Sequence, residues 1–251
     1  MPREWADKYR GRFDQGWDAL REETFARQKE LGVIPQGAEL TRRHDEIPAW
    51  DDMDEDLKPV LRWEMENYAG FLENTDHHVG RLIDALAELE VLDNTLIYYI
   101  IGDNGASAEG SLTGTFNSAI DGNGGEDLKT TQAQLAQLDN WGGPESYPHY
   151  AVGWAHAMCT PYQWTKQVAS HWGGTRNGTI VHWPAHIQAR VSCAISSTMS
   201  SMSPRRCWRR PGCPSRSRST ASPRSRCTAP ACATASTTRT RPSAMRPSTS
   251  R

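Results

Sequence analysis

From position 191 to 251 the chain contains no Lys, Asp, Glu, Leu, Phe or Tyr. A segment so poor in large apolar side chains cannot bury enough surface to offset its ordering entropy, and it is expected to be a disordered tail. Its only charges are 12 Arg. The remaining 16 basic residues face all 30 acidic ones, so the formal net charge of -2 conceals a body at about -14. Cysteine is nearly absent from that body. Cys193, Cys207, Cys213, Cys227 and Cys232 lie in the tail, leaving Cys159 alone. That excludes a disulfide framework and points to a reduced, cytoplasmic chain. The opening MPREWADKYRGR has no apolar signal-peptide core, and no apolar run is long enough to span a membrane.

Within the body the hydrophobic pattern supplies the elements. Phe13, Trp17, Leu20 and Phe25 recur at roughly helical spacing, and Gly32 ends the pattern, so 13–31 reads as a helix. A Pro-containing connector follows over 34–51. Residues 54–89 read mostly as helix, with one apolar face running from Leu57 to Leu89 and Pro59 tolerated only in the first turn. Leu92-Asp93-Asn94 turns the chain into TLIYYIIGDNGASAEG. There Leu96 to Ile101 form a short β-branched and aromatic run, which predicts a strand buried on both faces of a parallel sheet. Gly102 and Gly105 permit a sharp turn at its carboxyl end, where open α/β sheets bind their ligands. Asp103-Asn104 therefore delivers a carboxylate and a carboxamide to a functional edge. Both are hard oxygen donors of the kind Ca2+ or Mg2+ takes; both are also ordinary turn formers. A long Gly/Asn/Ser-rich excursion over 106–150 carries one polar helical stretch at 126–138. Residues 163–168 could make a helical turn, and TIVHW at 179–183 reads as a second strand closed by Pro184.

Three segments carry a resemblance to a known family. LDNTLIYYIIGDNGASAEGSLTGTFN resembles the sulfatases, and the bacterial arylsulfatases among them. YAGFLENTDHHVGRLIDALAELEVL is similar to the helix that precedes their metal strand. TPYQWTKQVASHWGGTRNGTIVHWP is similar to their later segment with a lysine, a Gly-Gly-x-Arg turn and a strand ending Trp-Pro. The resemblance covers roughly 2–190. It implies an α/β fold, a doubly wound, mostly parallel sheet flanked by helices in the alkaline-phosphatase manner. It implies hydrolysis of a small-molecule sulfate ester, with Ca2+ (Mg2+ as the alternative) held by Asp103 and Asn104. Lys166 matches the lysine that contacts the sulfate near the leaving oxygen, although its spacing to Gly173 is one residue longer than usual. His171, beside Gly173-Gly174, could line the site; read without the family, it is a packed, hydrogen-bonded histidine next to Trp172. Arg176 is expected to anchor its turn. Asn177-Gly178-Thr179 fits a glycosylation sequon but lies inside a matched core motif and is discounted. His77 and His78, adjacent on a helix, do not share a face and are not read as a metal pair.

The family also implies groups that these residues do not supply. Its nucleophile is a formylglycine made from a Cys/Ser-x-Pro/Ala-x-Arg motif, accompanied by further metal aspartates and a histidine general acid. The nearest match, Cys159-Thr160-Pro161-Tyr162-Gln163, ends in Gln and follows the Asp-Asn strand instead of preceding it. A chain of this composition is therefore expected to be inactive alone, with 1–190 a partial catalytic domain. A phosphoester or phosphonate hydrolase of the same superfamily is one alternative. A non-catalytic protein binding nucleic acid through Ser215-Arg216-Ser217-Arg218-Ser219 is the other. Reading the tail in another frame disfavours nucleic acid. One nucleotide restored after Arg190 allows a stretch near His-His-Val-Ile-Asp-Val-Ala-Pro-Thr-Val-Leu, which looks like the segment sulfatases carry after the Trp-Pro strand.

Overall fold

Three tryptophans organise the core. The computed structural model describes residues 1–102, 104–125 and 129–187, so Asp103 and the whole 191–251 tail lie outside the described residues. Short helix α1 (Arg3–Asp7) leads into α2 (Gly16–Glu30), whose first residue must be glycine twice over: its φ is +76, and a Cβ there would stand 2.1 Å from the Trp50 ring. Asp18 in the first turn of α2 accepts from Trp50 N at 2.8 Å and pairs with Arg43 at 3.0 Å, tying the connector back to the helix. Gly32, at φ +70, follows the last turn as the sequence predicts.

Helix α3 (Lys58–Glu88) has Pro in its first turn and runs 31 residues, about 46 Å at the usual rise. Its two halves differ. Val60, Leu61, Trp63 and Met65 are buried, and Gly70 lets the backbone of α1 approach, since a Cβ there would meet Ala6 N at 2.6 Å. Beyond Gly70 the same apolar stripe faces outward, with Phe71 56%, Leu82 62% and Leu89 70% exposed. The continuous burial expected for the 54–89 face thus holds only for its first half. Periodicity marks which residues share a face and is silent on whether anything covers it.

The third core element is α6 (Val152–Met158), a helix without polar periodicity. Trp154 is fully buried, its ring 5.5 Å from both Trp17 and Trp50 and 5.8 Å from Phe13. Its indole N–H donates to Leu61 O at 2.8 Å, and Trp17 donates to Pro48 O at 3.1 Å, so neither buried ring leaves a polar atom stranded. Gly153 is required: a Cβ would lie 2.4 Å from the Trp17 ring. His156 on the same helix is buried, and burial, with Arg21, Arg43 and His44 nearby, depresses its pKa to about 4, so it sits neutral in the core.

The 106–150 excursion is ordered by short pieces. Helix α4 (Ser118–Asp121) is capped by Asn117, and α5 (Thr131–Ala136) is shorter than the predicted 126–138 stretch, of which 126–128 lie outside the described residues. Isolated bridges Thr115–His149 and Asn117–Tyr147 close the loop on itself.

Strands β1 (Ile97–Ile100) and β2 (Thr179–His182) form the one ladder among the described residues, and it is antiparallel, with Ile97 opposite His182 and Ile100 opposite Thr179. The doubly wound, mostly parallel sheet is not displayed by these residues. Nor is β1 buried on both faces. Tyr99 turns toward α3 and donates to Asp76 at 3.1 Å, but Ile100 is half exposed and β2 is exposed throughout, Ile180 at 55%. An apolar run reports a tendency to leave water; it does not report the direction of its neighbour or guarantee a cover for each face.

Candidate metal and anion site at the end of beta strand 1

Past β1 the chain turns through two left-handed glycines. Gly102 has φ +79 and Gly105 φ +81, and neither could carry a side chain: a Cβ on Gly105 would stand 1.9 Å from Gly173 O, and one on Gly102 2.6 Å from Asn177 Nδ2. The turn expected from the sequence is therefore present, and its tightness comes from the 172–178 segment pressed against it. Of the two expected metal residues, Asn104 is described and partly exposed on this turn, and Asp103 lies outside the described residues.

Four further contacts lace the segments together. Lys166 N donates to Ala106 O at 2.9 Å. Ala106 N points at Cys159 Sγ at 3.4 Å, and the same thiol donates to Gly173 O at 3.3 Å. Ser107 N donates to the Tyr150 hydroxyl at 3.2 Å. Cys159 is thus a buried tie between two loops, and burial pushes its thiol pKa up. A thiol held neutral and used twice is unsuited to nucleophilic work.

Lys166 is brought to the same edge. Its Nζ lies 2.9 Å from Glu109 Oε1, and that carboxylate also accepts from Gln167 Nε2 at 3.4 Å and faces His149 Nε2 at 4.0 Å. The Lys166 ammonium, first by its hydrogen bond, lowers the Glu109 pKa and keeps the carboxylate ionised. Two non-glycine residues around Lys166, Trp164 at φ 67 and Gln167 at φ 78, hold left-handed backbone. Such strain persists where the surroundings over-determine a local shape, as they do at ligand sites.

His171 is placed differently. Its Nδ1 is 2.9 Å from Ser170 Oγ, and its ring meets the Trp164 ring edge-on at 5.8 Å, with His44 on Trp164 at 4.7 Å. Its contacts are with its own loop and that indole; among the described residues none reaches Glu109 or Asn104. Arg176 lies over the Trp172 ring at 3.6 Å and anchors the turn, as expected. The sequence singles out nothing at His149, and marks Asn177 only as a discounted sequon residue, with no sign of its bonds to Gly105 and Ile101. The signal for Asn177 exists only in tertiary contact, since a polar residue ahead of a strand is locally unremarkable.

The turn glycines Gly102 and Gly105 and the Lys166 loop lie in a chain whose relatives give its class. The Sulfatase family model matches residues 1–203, and the chain belongs to that family. An uncharacterized sulfatase of Schizosaccharomyces pombe is 32% identical over 203 residues, covering 76% of this chain and 33% of the relative. An arylsulfatase of Klebsiella aerogenes is 26% identical over 188 residues, covering 73% of this chain and 37% of the relative. The chain spans about a third of the length of these relatives. No helix among the described residues is long and apolar enough to cross a membrane.

The donor chemistry fits a hard divalent cation in kind and falls short in number. Ca2+ takes roughly six to eight oxygens. This turn offers one carboxylate and one carboxamide, and no group of three or more His, Cys, Asp or Glu side chains converges among the described residues.

Proposed function

We propose that this chain is the metal-and-lysine portion of an arylsulfatase-type hydrolase, acting on a small-molecule sulfate ester in the intact relative. The observation that supports it most is the meeting of two segments: the Asp103-Asn104 turn and the Lys166 loop are bonded directly through Ala106 O and Lys166 N. In this reading Asp103 and Asn104 hold the cation, Ca2+ first and Mg2+ as the alternative, which supplies positive charge against the sulfate oxygens when bound. Lys166 adds an ammonium to the same developing charge. Glu109 orients that ammonium and releases it to the anion by breaking a 2.9 Å ion pair that is partly open to water. Such a pair is weak enough to exchange. His171, packed on Trp164, is assigned a lining role.

Inorganic sulfate tests the lysine assignment without requiring turnover. Sulfate titrated against the full chain is expected to raise Tm, and Lys166→Ala to abolish the rise. Glu109→Gln removes the competing carboxylate and is expected to tighten sulfate binding by up to about fivefold, the scale of a partly exposed charge pair. A sulfate response unchanged in Lys166→Ala would remove the lysine from the site.

A further inference from the structure

Glu64 is a buried carboxyl that the site described above does not use. It lies on α3 at 2% exposure and touches both ends of the 114–151 excursion. At one end its Oε2 accepts from the backbone N–H of Ala151, the N-cap of α6, at 2.9 Å. At the other end its Oε1 fills the space that a Cβ on Gly114 would take. The Thr115–His149 bridge joins the same two ends, with Thr115 N donating to His149 O at 2.8 Å. Among the described residues Glu64 Oε1 has no hydrogen-bond partner.

Among the described residues no charge stands by to compensate an ionised Glu64. The cations nearest along α3 are engaged elsewhere, Lys58 with Glu55 and Arg62 with Asp14. Toward α1, Arg3 and Arg10 lie over the Trp63 ring, and Arg10 pairs with Glu66. Helix α5, which packs on α3, carries no titratable side chain, and α6 carries only His156, held neutral by burial. Tyr68, one turn further along α3, meets Tyr150 edge-on at 4.9 Å, and burial raises both phenols, so they are neutral too. His149, beside Tyr150, faces Glu109 instead. A carboxylate with one N–H bond and no cation is unfavourable in such a place, so the proton stays on. Burial raises the Glu64 pKa well above the usual carboxylate range, and the Ala151 N–H offsets this only in part.

We propose that Glu64 is an acid-held latch: its neutral carboxyl fastens both ends of the excursion to α3, and its ionisation as pH rises frees them. The residues on either side of Ala151 carry the effect outward. The Tyr150 hydroxyl accepts from Ser107 N at 3.2 Å, and Val152 N donates to Ser111 O at 2.7 Å, so the segment holding Glu109 is tied to what Ala151 is tied to. In the opened form the carboxyl meets water and titrates near its ordinary value of about 4.3. Between that value and the raised one of the closed form, opening releases one proton. Each pH unit then favours the open form about tenfold, and below about pH 4 the dependence vanishes. The latch is thus secure in acid and loses its hold as pH rises.

Amide hydrogen exchange on the full chain, from about pH 5 to 8 and corrected for intrinsic base catalysis, reads the opening equilibrium. At Ala151, Thr115 and His149 it is expected to rise about tenfold per pH unit in the parent and to stay flat in Glu64→Gln. That variant keeps an acceptor for Ala151 N and cannot ionise. The titrations of His149 and the tyrosines are common to both proteins and cancel in their ratio. Leu31 N, bonded to Arg27 O at the frayed end of α2, is expected to show no such slope. Equal slopes in parent and Glu64→Gln would overturn the proposal. So would the same slope at Leu31 as at Ala151, which would mean opening of the whole fold. The 13Cδ chemical shift of Glu64 in the parent needs no variant. It is expected to report a protonated carboxyl at neutral pH, and titration in the ordinary carboxylate range would overturn the latch.

Discussion

A polypeptide of these 251 residues is expected to show no measurable turnover of an aryl sulfate, with or without added Ca2+. The sulfatase reaction depends on an oxidised Cys or Ser in a Cys/Ser-x-Pro/Ala-x-Arg motif, and no such motif occurs in the sequence. The nearest approach, around Cys159, fails chemically as well as in pattern. Its thiol is buried, its pKa is raised, and it is bonded to Ala106 N and Gly173 O. Losing a nucleophile costs an enzyme roughly 10^4- to 10^6-fold in kcat, because what survives is binding and electrostatic assistance alone. A metal turn and a lysine can stabilise charge on a sulfate, but without an attacking atom there is no reaction for them to accelerate. A fixed-time assay at high protein concentration checks this. Turnover that disappears in Asp103→Ala would show that a nucleophile has been overlooked.

Trp154→Ala is expected to destabilise the fold by about 3–5 kcal/mol, the cost of emptying a large aromatic site in a packed core. The ring is fully buried, touches Trp17, Trp50 and Phe13, and caps Leu61 O with its indole N–H. Truncation therefore opens a cavity between α2, α3 and the connector and also removes the indole's bond to Leu61 O. Domains of ordinary size keep only about 5–15 kcal/mol in total, so this single change removes much of the margin. Leu82→Ala provides the contrast. It lies on the same helix that Trp154 bonds to, yet it is 62% exposed, and its replacement is expected to fall within about 0.5 kcal/mol of neutral. Urea unfolding followed by tryptophan fluorescence measures both. A Trp154→Ala loss below about 1 kcal/mol would mean that the three-tryptophan cluster is not the core of the chain.

What was legible in the sequence follows from what is local. Helix α2 is marked in the sequence by Trp17 and Leu20 with Gly32 behind them, though it starts at Gly16 and leaves Phe13 in the turn before it, and Pro59 marks the start of α3. The turn after β1 was visible as Gly102 and Gly105 around two oxygen donors, because left-handed backbone leaves a residue-type signature. Strand β2 was visible as TIVH before Trp-Pro. Features that depend on distant partners were hidden. VGWAHAM has neither helical amphipathicity nor strand alternation, so α6 became recognisable only when Trp17, Trp50 and Leu61 enclosed it. The outer half of α3 repeats the apolar period of the inner half, and only its exposure separates them. His149 comes beside Lys166's partner Glu109 through a bridge to Thr115, and Asn177 reaches Gly105 across more than seventy positions of chain. Polar groups placed by tertiary hydrogen bonds carry no periodic signal, and the second layer of a site is made of such groups.

Calcium calorimetry on the full chain tests the central claim that the turn after β1 is half of a sulfatase metal site. Two protein oxygens give far less than a complete shell. One weak site is therefore expected, with Kd on the order of 10^-4 to 10^-3 M, the range of the weaker Ca2+ modules, and Asp103→Ala should abolish it. Calcium binding that survives Asp103→Ala unchanged, or no binding at millimolar calcium in the parent chain, would contradict it.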